Sequence, residues 1–501
     1  MLPQQASCSD DRSPIGTGLD GIQYWSTELP FLDVFKTSSP WFSGTAEVWE
    51  NHQPLDLDEH GWVRSLKDGQ QAKTLMMFGP PMWVDSVPRF PTGRYVVDYE
   101  GEGTIEYYRA HVVERAPGRD VIKLDPQPGE GLGLSITSVN PHNYLRNIRV
   151  IMPNNAPPGE MFNPVFLERL HGYKVLRFIA WMFGPSNEDP AFTPHTWSAR
   201  PTLEDARWES TRRGVPVEIM VQLANRVGAD PWFSIPHLAD DEFVRRFAET
   251  VRDSLDPKLK VYVEHSNEVW NSSYPQKAYA QERGLALGLS TDPDEARTRY
   301  HAWRTREIGE IFEQVLGRDR VVKVLAMFTE MPDLSEQALA WDGTASHVNA
   351  LAIAPYFGYE LGLVEHNARV ERMTLDELFQ ELETHALPEA NQFTIQQAKI
   401  ARRYGLPCIA YEGGQHLVRL EGQPNERIEQ LFNAANRDPR MGRLYTRYLE
   451  DWSRATGGQL FVHLMNCGES GSAGRWGALE YIDQPRAQAP KYDALQQFMG
   501  N

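Results

Sequence analysis

Two glutamates stand where short apolar runs end. The run Lys-Val-Tyr-Val-Glu-His-Ser-Asn-Glu-Val-Trp over 260–270 closes on Asn267 and Glu268. The run Leu-Pro-Cys-Ile-Ala-Tyr-Glu-Gly-Gly over 406–414 closes on Glu412. If both runs are strands of one parallel sheet, their carboxylates reach the same cleft. Such a pair can break an acetal. One carboxyl, protonated, helps the leaving oxygen depart; the other, ionised, attacks the carbon, and the two then lie about 5 Å apart. Repulsion and unequal burial split their pKa values, so that one keeps its proton. Gly413 and Gly414 are expected to let the chain turn sharply and approach a ligand.

Other chemistry-bearing residues compete with this pair. Glu264 shares the strand parity of Glu268 but lies four residues deeper, about 13 Å at about 3.3 Å per residue. It reads as a paired interior charge. His237, after the run Pro-Trp-Phe-Ser-Ile-Pro, either lines the cleft or serves a structural role; His416 reads as structural. Trp25, Trp181 and Trp232 fall near the expected rim, where flat rings stack on sugar faces or simply pack. There is no His-x-His, His-Glu-x-x-His or Cys-x-x-Cys, so no metal site is expected. No Gly-rich phosphate fingerprint follows a strand, and no cofactor is expected.

The elements that must hold these residues show two textures. Over 41–152, short runs alternate with Gly, Pro, Asn and Asp: Ala72–Phe78, Arg94–Tyr99, Thr104–Tyr108, Asp120–Leu124, Leu132–Thr137 and Asn147–Met152. That spacing predicts an antiparallel β-sandwich. From 153 to 501, strands alternate with helices. Apolar runs at 174–181, 230–235, 260–265, 321–328, 348–355, 407–411 and 459–464 read as buried parallel strands. Gly21–Trp25, within the segment 16–40, supplies an eighth. Helices are marked by Asn163-Pro164, by Asp240 before the Phe243, Phe247, Val251, Leu255 stripe, by the box Thr374-x-x-Glu377, and by Gly405 as a stop. The expected fold is α/β: a (β/α)8 TIM barrel with an inserted or packed β-sandwich domain. A doubly wound sheet is the competing fold. On the barrel, Glu268 ends strand four and Glu412 ends strand seven.

Composition narrows the partners. The formal net charge of −18 argues against a nucleic-acid partner, and no apolar run is long enough to span a membrane. Aromatics are 11% of the chain, with 14 Trp and 19 Tyr, which suits carbohydrate as readily as a large core. Cys8, Cys408 and Cys467 are too few for a disulfide framework. The last two are expected at opposite ends of neighbouring strands. No apolar leader precedes Cys8, which leaves a lipidated Cys8 open. An extracellular or periplasmic location is the expectation, with a cytoplasmic one still open. Oligomeric state is open.

Asn-Glu ending strand four and Glu ending strand seven resemble the signature of the clan A retaining glycoside hydrolases, over roughly 16–40 and 155–500. The resemblance implies that Glu268 is the general acid/base and Glu412 the nucleophile, and that the scissile bond is of β type. It further implies that Asn267 contacts the sugar 2-hydroxyl, Arg177 orients the nucleophile, Tyr356 hydrogen-bonds it, and Trp476 floors the reacting subsite. The chain is also similar to bacterial proteins often labelled cellulose-binding, through Glu264–Asn271 and Tyr144–Arg149. That group has Arg-Phe-x-Asp-Trp-Met where this chain has Ala180. The expected activity is hydrolysis of a polysaccharide or oligosaccharide by two carboxylates, with His237 and Trp232 as further substrate contacts. A non-catalytic polysaccharide-binding protein and a transglycosylase are the alternatives.

Overall fold

Eight short strands close into a parallel barrel: Ile15–Gly18, Val175–Arg177, Asp230–Ile235, Val261–His265, Val321–Ala326, Ala350–Ile353, Cys408–Ala410 and Phe461–His463. The first pairs with both the second and the eighth, through Thr17↔Leu176 and Ile15↔Phe461. The computed structural model describes residues 13–78, 90–124, 131–182, 195–209, 214–420 and 425–501. Cys8 lies outside them. Cys408 and Cys467 are both free and buried.

Strand one departs from the sequence expectation. It is Ile-Gly-Thr-Gly at 15–18, not Gly21–Trp25, which falls in the loop that follows. The glycines explain why the strand looks unlike its neighbours. A Cβ on Gly16 would sit 2.9 Å from the Val175 carbonyl oxygen, and one on Gly18 would sit 2.0 Å from that of Leu464. Closing the barrel leaves no room for side chains there. Strand two also ends early, at Arg177, where the chain turns into the short helix Ile179–Met182.

The helices form where their caps predict. Asn163 accepts from the Val165 N–H ahead of Pro164–Arg169, and Asp240 accepts from that of Phe243 ahead of Asp241–Ser254. Thr374 and Glu377 make both bonds of a capping box. In the helix Asp241–Ser254, Phe243, Phe247 and Val251 are buried as one stripe.

Two antiparallel four-stranded sheets lie between barrel strands one and two. One joins Phe42–Gly44, Gln71–Met76, Leu132–Val139 and Gly103–Tyr108. The other joins Arg146–Ile151, Gly93–Glu100, Arg119–Leu124 and Ala110–Ala116. Their inward residues, such as Ile105, Ile122, Leu134 and Val150, belong to one hydrophobic core continuous with the barrel helices. Among the described residues, no helix is long and apolar enough to cross a membrane.

Candidate active site

Arg177 is the hub. It ends strand two, is 1% exposed, and its guanidinium donates to three acceptors. The bonds run to Glu412 Oε2 at 2.7 Å, Glu264 Oε2 at 3.0 Å and Asn267 Oδ1 at 2.8 Å. Burial alone would lower the pKa of Arg177; Glu264 and Glu412 outweigh it and hold the charge. Glu264 is buried and also accepts from Trp232 Nε1 at 2.9 Å and Ser234 Oγ at 3.1 Å. It is therefore the counter-ion that anchors Arg177 from below.

Glu268 and Glu412 border one cavity of about 1350 Å³, together with Asn267, Tyr356 and Trp476. Each carboxyl has its own partners. Glu268 accepts from Asn271 Nδ2 at 2.8 Å and from the Tyr411 hydroxyl at 3.2 Å, both neutral donors. Glu412 accepts from the Arg177 cation and from Tyr356. Burial raises the pKa of both carboxyls, and their neighbours pull it back only in part. For Glu268 the opposing groups are Asn271, Tyr411 and Arg177. Glu412 is pushed up to about 7 by burial and by the charges of Glu268 and Glu264, against Arg177 and Tyr356. Glu264 and Glu412 thus share one guanidinium by direct bonds, while Glu268 feels it only at a distance. The cation contact favours charge on Glu412, against the burial and like charges that push it up, so the two carboxyls titrate as a pair.

The backbone is bent to make this possible. Ser266 and Glu268 have positive φ, 58° and 44°, a region that costs a side-chain-bearing residue on the order of 1 kcal/mol. Bonds from Ser266 N–H to the Ile235 carbonyl at 2.7 Å and from Gln276 Nε2 to the Asn267 carbonyl at 2.7 Å hold the turn. Glu264 is the paired interior charge expected from its depth, and one arginine reaches both it and Glu412. Arg177 fixes the Asn267 amide through its oxygen, which leaves its NH2 for a ligand.

Trp476 is seated from behind. The buried Arg475 donates to the Leu417 carbonyl at 2.9 Å, while Lys491 and Gln415 donate to its own carbonyl at 2.6 and 2.5 Å. The Trp476 ring meets His416 at 4.7 Å and Tyr356 at 5.8 Å. Gly413 and Gly414 serve packing rather than ligand approach: a Cβ would sit 2.8 Å from the Tyr448 or Tyr445 hydroxyl respectively.

Not every expected residue comes to the cavity. Trp232 is fully buried inside the barrel, stacked on Tyr262 at 5.3 Å, and holds Glu264. His237 is buried edge-on against Tyr279 at 5.0 Å and does not line the cavity. Trp181 packs among Phe31, Phe166 and Phe178. Trp25 meets Tyr24 away from the lining. Conversely, Tyr411, Asn271 and Trp270 went unread in the sequence, and His416 lines the cavity. Tyr411 adjoins Glu412, and neighbours on a strand face opposite ways. The strand ends at Ala410, so that rule lapses one residue before it is needed. Among the described residues, no group of three or more His, Cys, Asp or Glu is placed to hold a metal.

No family model and no curated protein matches this chain. Among solved structures it is similar to a 4-O-α-L-rhamnosyl-β-D-glucuronidase from Fusarium oxysporum, at 12% identity and a TM-score of 0.40, over 66% of this chain and 62% of that one. It is similar to fungal β-1,4-galactanases at 10% identity and a TM-score of 0.36, over 66% and 91%. A family 51 α-L-arabinofuranosidase from Bifidobacterium longum gives 9% identity and a TM-score of 0.37, over 60% and 61%. The chain thus spans less than two thirds of the first and third of these proteins. At such TM-scores these likenesses are too distant to bear on activity.

Proposed function

We propose that the protein is a retaining glycoside hydrolase that cleaves a β-type bond through a glycosyl-enzyme intermediate. The observation that carries this is the asymmetry of two carboxyls in one cavity: Glu412 on the Arg177 cation, Glu268 on neutral donors alone. Glu268 gives its proton to the leaving oxygen as the Glu412 carboxylate attacks the anomeric carbon and the old C–O bond breaks. Glu268, now ionised, takes a proton from water, whose oxygen displaces Glu412 from the sugar. Arg177 and Tyr356 stabilise the charge that returns to Glu412. Asn267 offers its amide N–H to a sugar hydroxyl, and Trp476 offers its ring face.

Reducing-end release across a polysaccharide and oligosaccharide panel, with Glu412→Gln beside the parent protein, tests the reading. Turnover should fall by at least about 10⁴-fold in the variant. Azide should partly rescue Glu268→Ala on a substrate with an activated leaving group. Undiminished activity in Glu412→Gln overturns the assignment, and binding without release favours a non-catalytic glycan binder.

A further inference from the structure

His416 reads as structural in the sequence, yet its ring borders the cavity. The backbone around it is held firmly. Phe357 and Gln415 pair as an isolated parallel bridge. The His416 N–H donates to the Phe357 carbonyl at 2.8 Å, and the Val418 N–H donates to the His416 carbonyl at 3.0 Å. The loops after strands six and seven are thus stitched side by side, with the imidazole at their seam.

Three rings fix its place. His416 meets Trp476 at 4.7 Å, Tyr359 at 5.1 Å and Tyr356 at 5.4 Å, each edge to face. Tyr356 in turn bonds to Glu412. One tyrosine therefore separates the imidazole from the proposed nucleophile, and the tryptophan offered to the sugar touches it directly. These contacts put His416 at the reacting subsite.

Packing alone does not account for an imidazole there. A phenylalanine would make the same ring contacts without the cost of enclosing an unpaired polar atom. Nδ1 is enclosed and bonds to no other residue, and no described residue bonds to Nε2. Nε2 is the ring atom left for a ligand. Burial pushes the imidazole down to about 4, so at any pH well above that it is neutral, with one N–H and one lone pair. A neutral ring of this kind suits a hydroxyl, which both donates and accepts.

We propose that His416 is a sugar-recognition residue, whose Nε2 hydrogen-bonds a hydroxyl at C3, C4 or C6 of the sugar that lies on Trp476 with its anomeric carbon at Glu412. This rests on the glycosidase reading and adds a specificity contact to it. The 2-hydroxyl adjoins the anomeric carbon and falls to Asn267, whose amide Arg177 orients. A site built to bond a hydroxyl rejects the sugar that lacks it, because its own polar atom is then left unpaired.

The probes are 4-nitrophenyl β-glycosides of glucose, galactose, mannose and xylose, as monosaccharides and as β-1,4-linked disaccharides. For the one that turns over fastest, kcat/KM is compared with that of its analogues deoxygenated, where the hydroxyl is free, at C3, C4 or C6 of the sugar bearing the nitrophenyl group. Each is measured on the parent and on His416→Phe, which keeps the ring and loses both nitrogens. His416→Phe should lose about tenfold on the full substrate. At one position the deoxy analogue should lose about as much on the parent and little more on the variant, while the other positions add in full. Ratios within one preparation are independent of its folded fraction. A loss of equal size on every substrate is what a structural role gives, and it overturns the proposal, as do unchanged kinetics in His416→Phe. If none of these glycosides turns over, binding decides His416 apart from the glycosidase reading. The β-1,4-linked tetrasaccharides of the same sugars are then titrated calorimetrically. Binding of at least one that weakens about tenfold in His416→Phe sustains the contact; no binding, or equal binding, overturns it.

Discussion

Tyr411 donates to Glu268, and a donor to a carboxylate favours its ionised form. Removing that hydroxyl therefore raises the pKa of Glu268. As the proposed acid of the first step, Glu268 must carry a proton, so the alkaline limb of kcat/KM should move to higher pH in Tyr411→Phe. A pH–rate profile of the variant checks this, and an unmoved limb would mean that Tyr411 does not act through Glu268. In the parent protein, activity should peak where the pair holds one proton and fall on the alkaline side as Glu268, whose pKa burial raises, loses it. That the two glutamates border one cavity was legible in the sequence because strand ends on a barrel face one cleft. Trp232 was misread as a rim residue because only its neighbours in space, Glu264 and Ser234, reveal that it faces inward. Asn271 was invisible for a similar reason: its bond to Glu268 depends on a turn at positive φ that residue types do not announce.

The loops after strands one and eight hold a second group of acids, whose effect belongs to the element rather than to catalysis. Asp20 is pushed up to about 6, chiefly by burial, and Glu469 to about 8, by burial and by Asp20. Burial and Asp20 raise Glu28 as well. The Asp20 N–H and Asn466 Nδ2 bond to Glu28 at 2.9 and 3.2 Å, tying the two loops together. A carboxyl whose folded pKa is raised adds stability that is full below its unfolded value, about 4. That stability is lost as the pH rises through about 6 to about 8. Urea unfolding at pH 5 and pH 9 should therefore show a loss of several kcal/mol from this cluster. Glu28→Gln keeps an acceptor but removes one charge, so its stability should fall less between the two pH values than that of the parent. An equal fall would show that the cluster does not set the slope. Glycine hid the first of these elements: a four-residue strand with two glycines carries too little apolar signal to be read as one.

Across the whole molecule, the strand-rich insertion and the barrel share one core, and residues 30–37 sew them together. The Pro30 carbonyl accepts from the Asn163 N–H at 2.9 Å, and the Leu32 carbonyl accepts from that of Met152 at 3.0 Å. Asp33 Oδ1 accepts from the Val150 N–H at 2.8 Å. Phe35, fully buried, stacks on Trp62 at 5.6 Å and tilts on Trp41 at 5.9 Å, while Phe31 packs on Trp181 and Trp208. Alternation and turn residues made both textures legible in the sequence. Their fusion was not, because residues 30–37 have no periodicity of their own and take their conformation from both sides. A seam of this kind couples the unfolding of the two parts. Phe35→Ala should cost about 3–5 kcal/mol by emptying an aromatic site at the seam. The loss should lower a single transition, with far-UV ellipticity and enzymatic activity falling at the same denaturant concentration. If activity persisted after a first, separate loss of structure, the insertion would be an independent unit that the barrel does not need for its fold.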